Sequence, residues 1–502
     1  MGNAMARTHR ILALVALACA LVAAGCTPSP DLAPSPVVTP TPVQRDFTVA
    51  TTERVTTLDP VAVTDAINTT ATMAVYQRLM TTDPGKASLH PDAAKDCLFV
   101  LPTVYECTLK ERMSFHNWDT LTSSDVRFSI NRALRLGVPG SSARQLSALD
   151  HIETPDELTV RFVLKWPDAQ FGFALASPAA SIVDETVYDP DALLPAGAEP
   201  VGSGPFRFTQ LDDTGLSLRQ YSFYKGYTPA SVATLKLAHF ADSAALENAM
   251  RTASVDVVWR GLNDAALKRF GDQINASRDK VTESGFRRET LTGVKVHLLV
   301  WEPSSARRLD VTLRQAISQA LQDGRTLGSV IPGGIAGHTE AFPLGGAPSQ
   351  PPSAGERPVL TLSYASAITG ERERARDIRD RIETAGYASV QVLADSATAD
   401  LRLVDMRAWT ATPFAWMQPY RDAAPPGSAA KVAELEQLAR STTDAAARDR
   451  LLAEIQLQAA ADMIVLPIAQ EDDTVFYAAP VKVHEPRFAP GWQLALWAVG
   501  LQ

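Results

Sequence analysis

The chain has 502 residues, 46% of them hydrophobic and 21% charged, and a formal net charge of −9. That length allows roughly two or three domains of usual size, and the apolar fraction allows each a core. The acidic balance argues against nucleic acid as a partner, because phosphate binding needs a basic face.

Met1 to Arg10 holds Arg7 and Arg10 and no acid; Ile11 to Val22 is almost unbroken apolar sequence, and Ala23-Ala24-Gly25-Cys26 follows. A basic start, a short apolar run and small residues before a cleavage point describe a secretory signal. The run is shorter than the roughly 20 apolar residues of a spanning helix. The small-small-Gly-Cys order resembles the bacterial lipobox, with Ala23 where Leu is usual. That resemblance implies removal of residues 1–25 and lipidation of Cys26. Two arginines would leave with the signal, moving the formal charge from −9 to −11. Residues 26–45 are dense in Pro and Ser, a composition that favours an extended tether. No later apolar stretch is long enough to cross a membrane.

Of the four Cys, Cys19 lies in the signal and Cys26 is the lipidation candidate, which leaves Cys97 and Cys107. An even remainder in an exported chain suggests a disulfide. The intervening run reads as a hairpin turning at Leu101-Pro102-Thr103. Pairing Val100 with Val104 sets Phe99 opposite Tyr105 and Cys97 opposite Cys107, within reach of a bridge. Closing so short a loop contributes on the order of 3 kcal/mol.

Strand-like and helix-like segments then alternate. Asp46 to Ala50 reads as a strand, running to a turn at Leu58-Asp59-Pro60, and Thr69 to Leu79 has helical spacing. Thr122 is an N-cap candidate with Asp125 in the first turn. Leu158 to Leu164 alternates as a half-buried strand. Ala244 to Thr252 reads as a helix feeding the strand Val255 to Trp259, and Asp310 caps a helix carrying Leu313, Ile317 and Leu321. Val359 to Ala365 is a strand, Glu371 to Ala385 a helix stopped by Gly386, and Ser389 to Ala394 and Leu401 to Asp405 are strands. Helices at Lys431 to Arg440 and Asp444 to Met463 precede the strand Ile464 to Ile468. Mixed sheets covered by helices are the expected outcome.

Five segments in this order resemble the oligopeptide, dipeptide and nickel binding proteins of ABC transporters, solute-binding family 5. They are the Leu58-Asp59-Pro60 turn; Leu109 to Arg132, with Phe115-His116 before Leu121-Thr122 and Asp125-Val126; Val201-Gly-Ser-Gly-Pro-Phe206; Tyr224-Lys-Gly-Tyr227; and Leu313-Arg-Gln-Ala-Ile317. The similarity covers nearly all of residues 46–480. It implies an α/β, two-lobe periplasmic-binding-protein fold of the class II type, with mixed sheets, flanking helices and a hinged cleft. Residues 46–285 plus 472–502 would form lobe I and 286–471 lobe II. Segments near Ser284 to Val296 and Gln470 to Phe476 would cross between them as the hinge. The implied function is capture of a peptide or similar small solute by a monomeric receptor, held by its lipid on the extracytoplasmic face and delivering to an ABC permease. A second reading keeps the fold but makes the protein a scaffold or regulator of envelope assembly.

Enzymatic motifs are scarce. There is no Gly-x-Ser-x-Gly, and Gly202-x-Gly204 continues into Pro205, which spoils a dinucleotide fingerprint. No catalytic residue or cofactor is expected. The eight His lack paired metal spacing, so no metal site is expected either. His116 at a strand end reads as structural, and Arg372, Arg374 and Arg376 as the solvated face of their helix. Candidate ligand contacts are Trp259 and Arg260 at a strand end, and Trp409, Thr412, Phe414, Trp416 and Tyr420 in the irregular stretch after Asp405. Peptide receptors of the family carry Trp-x-x-Asp there, the Asp meeting a terminal ammonium. Thr412 stands at that spacing here and supplies no charge.

Overall fold

A computed structural model describes residues 46–82, 89–195, 197–345, 357–366, 368, 370–406, 412–483, 488–489 and 493–501. Cys26, the signal and tether segments, and Trp409 lie outside the described residues.

A ten-stranded sheet organises the molecule. From one edge to the other its strands are Ser389–Ala394, Val359–Tyr364, Leu401–Met406, Phe286–Trp301, Val465–Ala478, Val257–Trp259, Phe47–Thr51, Thr234–His239, Gly215–Gln220 and Phe206–Asp212. Its centre is the antiparallel pair Phe286–Trp301 and Val465–Ala478, the two longest strands. One half of that pair, 473–478 against 286–291, carries Val257–Trp259 at its side; the other half, 296–301 against 465–470, carries Leu401–Met406. The register shifts between Leu291 and Lys295, where one set of neighbours gives way to the other.

The halves also have separate cores. Leu298, Ile317, Leu360, Ile378 and Leu466 belong to one buried cluster, and Val49, Leu235, Val257, Tyr477 and Leu496 to another. A third core packs under a four-stranded sheet ordered Ala94–Leu101, Val104–Leu109, Thr159–Leu164 and Leu149–Glu153. Two α/β bodies joined by paired crossing strands form a two-lobe fold.

The expected disulfide is present between Cys97 and Cys107, and Phe99 does face Tyr105. The tip differs from the expected register. Leu101, not Val100, pairs with Val104, the turn is Pro102-Thr103 alone, and Val100 is absorbed as an irregularity in the strand. A two-residue turn is the commonest hairpin connection, and one unpaired residue lets it form without disturbing the pairing below.

Helix Ala66–Val75 starts where Asp65 accepts from the Asn68 N–H at 2.8 Å, earlier than its hydrophobic spacing indicates. It ends earlier too, at Tyr76, which is extended. The reason is tertiary: the Val75 carbonyl accepts from the Gly204 N–H at 2.8 Å. A Cβ at Gly204 would sit 2.5 Å from the Val75 carbonyl carbon, and one at Gly202 would sit 2.2 Å from its oxygen, so both positions need glycine.

His116 closes the same junction. Its N–H donates to the Gly202 carbonyl at 2.8 Å and its Nε2 lies 3.1 Å from the Gly204 carbonyl oxygen. Burial pushes its imidazole down to about 4. The neutral ring is therefore the native form, and the unfolded chain binds a proton that the folded chain refuses between about pH 6.5 and 4. Stability should fall as pH drops through that window, by on the order of 2 kcal/mol near about pH 4.5. Urea melts of wild type and His116→Gln across pH 4 to 7 check this; the variant should lose that part of the slope.

Candidate functional site

A cavity of ≈ 1320 Å³ opens against the crossing strands. One wall comes from residues 52–56, the first turn of helix Ala66–Val75 and the stretch Val258 to Leu267; the other comes from the start of helix Glu371–Thr384 and Asp405. Lys295, His297 and Glu471 to Thr474 belong to the crossing strands themselves. Nine of its lining residues are Asp or Glu and four are Lys or Arg, while none of those described is Phe, Tyr or Trp.

Two ion clusters set its electrostatics. In the first, the chain turns sharply after Trp259. Arg260 has φ +64° and Gly261 φ +91°, and a Cβ on Gly261 would lie 2.3 Å from the Thr52 hydroxyl. The turn lays the Arg260 guanidinium over Trp259, 4.0 Å from the ring centre. Its Nε donates to Asp473 at 2.9 Å, and Nη1 reaches Glu53 at 3.5 Å. Burial opposes its charge, but Glu53 and then Asp473 outweigh burial and hold the guanidinium above its ordinary value. Lys295 stands 4.0 Å from the other oxygen of Asp473.

The second cluster joins the crossing strands to helix Glu371–Thr384. His297 Nε2 lies 3.1 Å from Glu471 and Nδ1 3.0 Å from Glu371, while Arg374 reaches Glu471 at 2.5 Å and Glu371 at 3.5 Å. Burial works against a charged His297, yet hydrogen bonding to Glu371 and Glu471 raises it above its ordinary value. The hydrogen bond from His297, followed by the charges of His297 and Arg374, pulls Glu471 down to about 2. The acid is ionised throughout the physiological range.

The two parts of the chain meet again around a small gap of ≈ 20 Å³, lined by Arg144, Gln170, Thr412, Phe414, Arg421 and Arg440 among others. Arg144 pairs with Asp422 at 2.6 Å, the Ala169 N–H donates to the Arg440 carbonyl at 2.8 Å, and Arg440 Nη1 reaches Asp168 at 3.4 Å. The Arg144 pair is 58% and 43% exposed, and such pairs contribute about 0–1 kcal/mol. Arg440 matters more, because Asp168 is buried and Arg440 also lies over Phe414. Arg440→Ala should leave buried Asp168 without its cation and cost about 1–3 kcal/mol of stability; Arg144→Ala should cost at most about 1 kcal/mol. Urea melts of both variants check the difference.

Of the expected contacts among the described residues, only Arg260 lines the large cavity, and Thr412 lines the small gap beside Phe414. Trp259 is fully buried beneath Arg260, in the core beside Val257 and Tyr477. Trp416 and Tyr420 are corrections: both are 1% exposed and pack into the core of the 296–469 body, where the Tyr420 hydroxyl donates to buried Asp462 at 2.7 Å. Phe414 is 2% exposed and part of that core too. They sit on short helices, Pro413–Trp416 and Gln418–Ala423, where the expectation was an irregular loop. Two short amphipathic turns must bury their rings to be stable. The arginines of helix Glu371–Thr384 divide: Arg372 and Arg376 are solvated, whereas Arg374 turns into the cavity.

Among the described residues no group of three or more His, Cys, Asp or Glu is arranged to hold a metal, and no helix is long and apolar enough to cross a membrane.

Residues 89–376 match the family described as bacterial extracellular solute-binding proteins, family 5. Over 185 residues the chain is 28% identical to the glutathione-binding protein GsiB of Pectobacterium atrosepticum, covering 36% of this chain and 35% of that one. Over 167 residues it is 31% identical to a probable D,D-dipeptide-binding periplasmic protein, DdpA, of Escherichia coli, covering 30% of each. The matched stretch thus spans about a third of these relatives. Two solved structures share the fold over 91% of this chain. The Helicobacter pylori periplasmic binding protein DppA in complex with the peptide STSA gives a TM-score of 0.74 at 18% identity, with 98% of that chain covered. The dipeptide binding protein of a Pseudoalteromonas species in complex with Met-Leu gives 0.76 at 15%, with 100% covered.

Proposed function

Because the chain belongs to the bacterial extracellular solute-binding proteins of family 5, we propose that it is a lipid-anchored receptor of an ABC importer. It captures a short peptide or a polar solute of similar size and hands it to a membrane permease. Residues 46–285 with 472–502 act as one lobe and 286–471 as the other, and the paired strands Phe286–Trp301 and Val465–Ala478 serve as the hinge. Cys26 carries the acyl anchor and the Pro/Ser-rich segment the reach. The receptor performs no chemistry on its cargo.

The observation that carries this reading is the ≈ 1320 Å³ cavity lined by residues of both proposed lobes, with charged side chains fixed in ion clusters. Preformed charge patterns recognise zwitterionic solutes, since each end of the ligand meets a side chain whose orientation is already set. The carboxylate excess favours a ligand whose amino or guanidino groups face helix Glu371–Thr384, and it supplies the negative charge that Thr412 does not.

A native mass spectrum of the protein purified from its own cells tests the reading. A retained small molecule is expected, and after its removal di- to tetrapeptides should raise the melting temperature by mass action. A well-folded chain that arrives empty and responds to no peptide or amino acid would overturn it. The narrow gap at Thr412 favours the second reading, a scaffold or regulator in envelope assembly, and co-purification of envelope enzymes without a permease would decide for that.

A further inference from the structure

The hairpin stapled by Cys97 and Cys107 ends in a seven-residue run, Leu98-Phe-Val-Leu-Pro-Thr-Val104, without a charge. Leu98 is 53% exposed, Phe99 37%, Val100 45% and Leu101 59%. Four consecutive large apolar residues in water are not accounted for by folding, and they do not share a face. Leu98 stands opposite Glu106, whereas Phe99 stands opposite Tyr105, whose ring is buried and packs on Phe171. Adjacent strand residues point to opposite sides, so the tip is apolar all round. A protein groove would cover one side of such a finger; an apolar medium covers every side.

We infer that this tip enters the outer leaflet of the membrane to which the chain is anchored. The inference rests on the anchored reading above, because an exposed finger this small needs its membrane held nearby. The Pro-rich composition of residues 26–45 sets their reach at no more than roughly 60 Å, a length that lets the described domain lie against the bilayer. The geometry limits the depth. Four residues of strand measure about 13 Å, and Ala94–Leu101 is an edge strand of its sheet. Its outer N–H and C=O groups need water or headgroups, so the tip stops at the boundary between headgroups and acyl chains, where interfacial elements sit roughly 5–10 Å deep. Pro102 at the turn has no N–H to leave unpaired. The disulfide and the edge-to-face Phe99 and Tyr105 rings, 4.7 Å apart, keep the finger rigid, so little ordering accompanies insertion. With no basic residue in the run, insertion is apolar and independent of anionic lipid.

The test uses the full lipidated chain in palmitoyl-oleoyl phosphatidylcholine vesicles, with a photoactivatable benzoylphenylalanine at position 100 and, as control, at the exposed hairpin position 213. Cross-links to acyl chains are expected at 100 and not at 213, with yields unchanged between low and high salt. The double substitution Leu98→Gln and Leu101→Asp should lower the lipid adduct at least about tenfold, while its melting curve stays that of wild type because both side chains are largely solvated and no new charge faces Glu106. Absence of lipid adducts at 100 from protein whose Cys26 is acylated overturns the inference and leaves the anchored reading standing. Cross-linking in native membranes to a polypeptide instead of lipid also overturns it, making the tip a permease contact. The intact mass of the Cys26 peptide reports the anchor separately.

Discussion

Asp59→Ala is expected to cost about 3–5 kcal/mol of folding stability, more than any surface change in the molecule. The Asp59 carboxylate and the Arg132 guanidinium are each 1% exposed and meet in a two-pronged pair, Nη1 to Oδ1 at 2.9 Å and Nη2 to Oδ2 at 2.6 Å. Asp59 also accepts from the N–H groups of Val61 at 3.0 Å and Leu194 at 2.7 Å. Arg132 donates further to the carbonyls of Asp189 at 2.8 Å and Ala192 at 2.6 Å. One ion pair thus joins the 58–60 turn, the helix Ser123–Leu136 and the 189–194 loop. Removing the carboxylate strands a buried cation and leaves two N–H groups without their acceptor. Removing both charges in Asp59→Ala with Arg132→Met should restore part of the loss, because the larger cost is the uncompensated charge. Asp59→Ala with Arg132→Lys should not restore it, since the ammonium is still a buried cation without its carboxylate. Urea denaturation checks the series, with the denaturant slope unchanged if only stability moves.

That pair explains why the fold was legible. The Leu58-Asp59-Pro60 turn and the helix that carries Arg132 are far apart in sequence, yet both were readable as local patterns: a Pro-terminated turn, and a helix begun by Thr122, whose N–H donates to Asp125 at 2.8 Å. Helix Glu371–Thr384 and the strand Ser389–Ala394 were legible for the same reason, as apolar periods with a stop at Gly386. The crossing strands were harder. The residues read as a strand at Ile464 to Ile468, and the family resemblance adds a separate crossing segment near Gln470 to Phe476, with the polar run Gln470-Glu471-Asp472-Asp473-Thr474 lying between two apolar stretches. Val465–Ala478 is one strand, because its polar middle passes the cavity, where those side chains have partners. The same run was the available signal for the site: three acids inside a strand must be satisfied by something. The aromatic residues after Asp405 carry the stronger local signal, yet Trp416 and Tyr420 belong to the core. Ring content says that a side chain wants burial; it does not say whether by protein or by ligand.

Asp473→Ala should separate stability from recognition. Asp473 is 4% exposed and holds Arg260, also 4% exposed, at 2.9 Å, with Lys295 4.0 Å from its second oxygen. Without it, Arg260 still faces Glu53, which is longer at 3.5 Å and 32% exposed, and the charge of Asp405. The loss should approach about 3 kcal/mol, in the range for breaking a buried pair. The cavity changes in the opposite sense. One carboxylate disappears from between two cations, so a ligand carboxylate can take its place against Arg260 and Lys295. Anionic solutes should then stabilise the variant more than the wild type, by an amount that grows with their concentration. Asp473→Asn keeps an acceptor for the Arg260 Nε and should lose less stability, while giving a weaker version of the same gain. Thermal melts of the three proteins against a succinate titration distinguish the cases. If the variant loses stability and succinate restores none of it, the Arg260 cluster braces the crossing strands without presenting its charge to ligand.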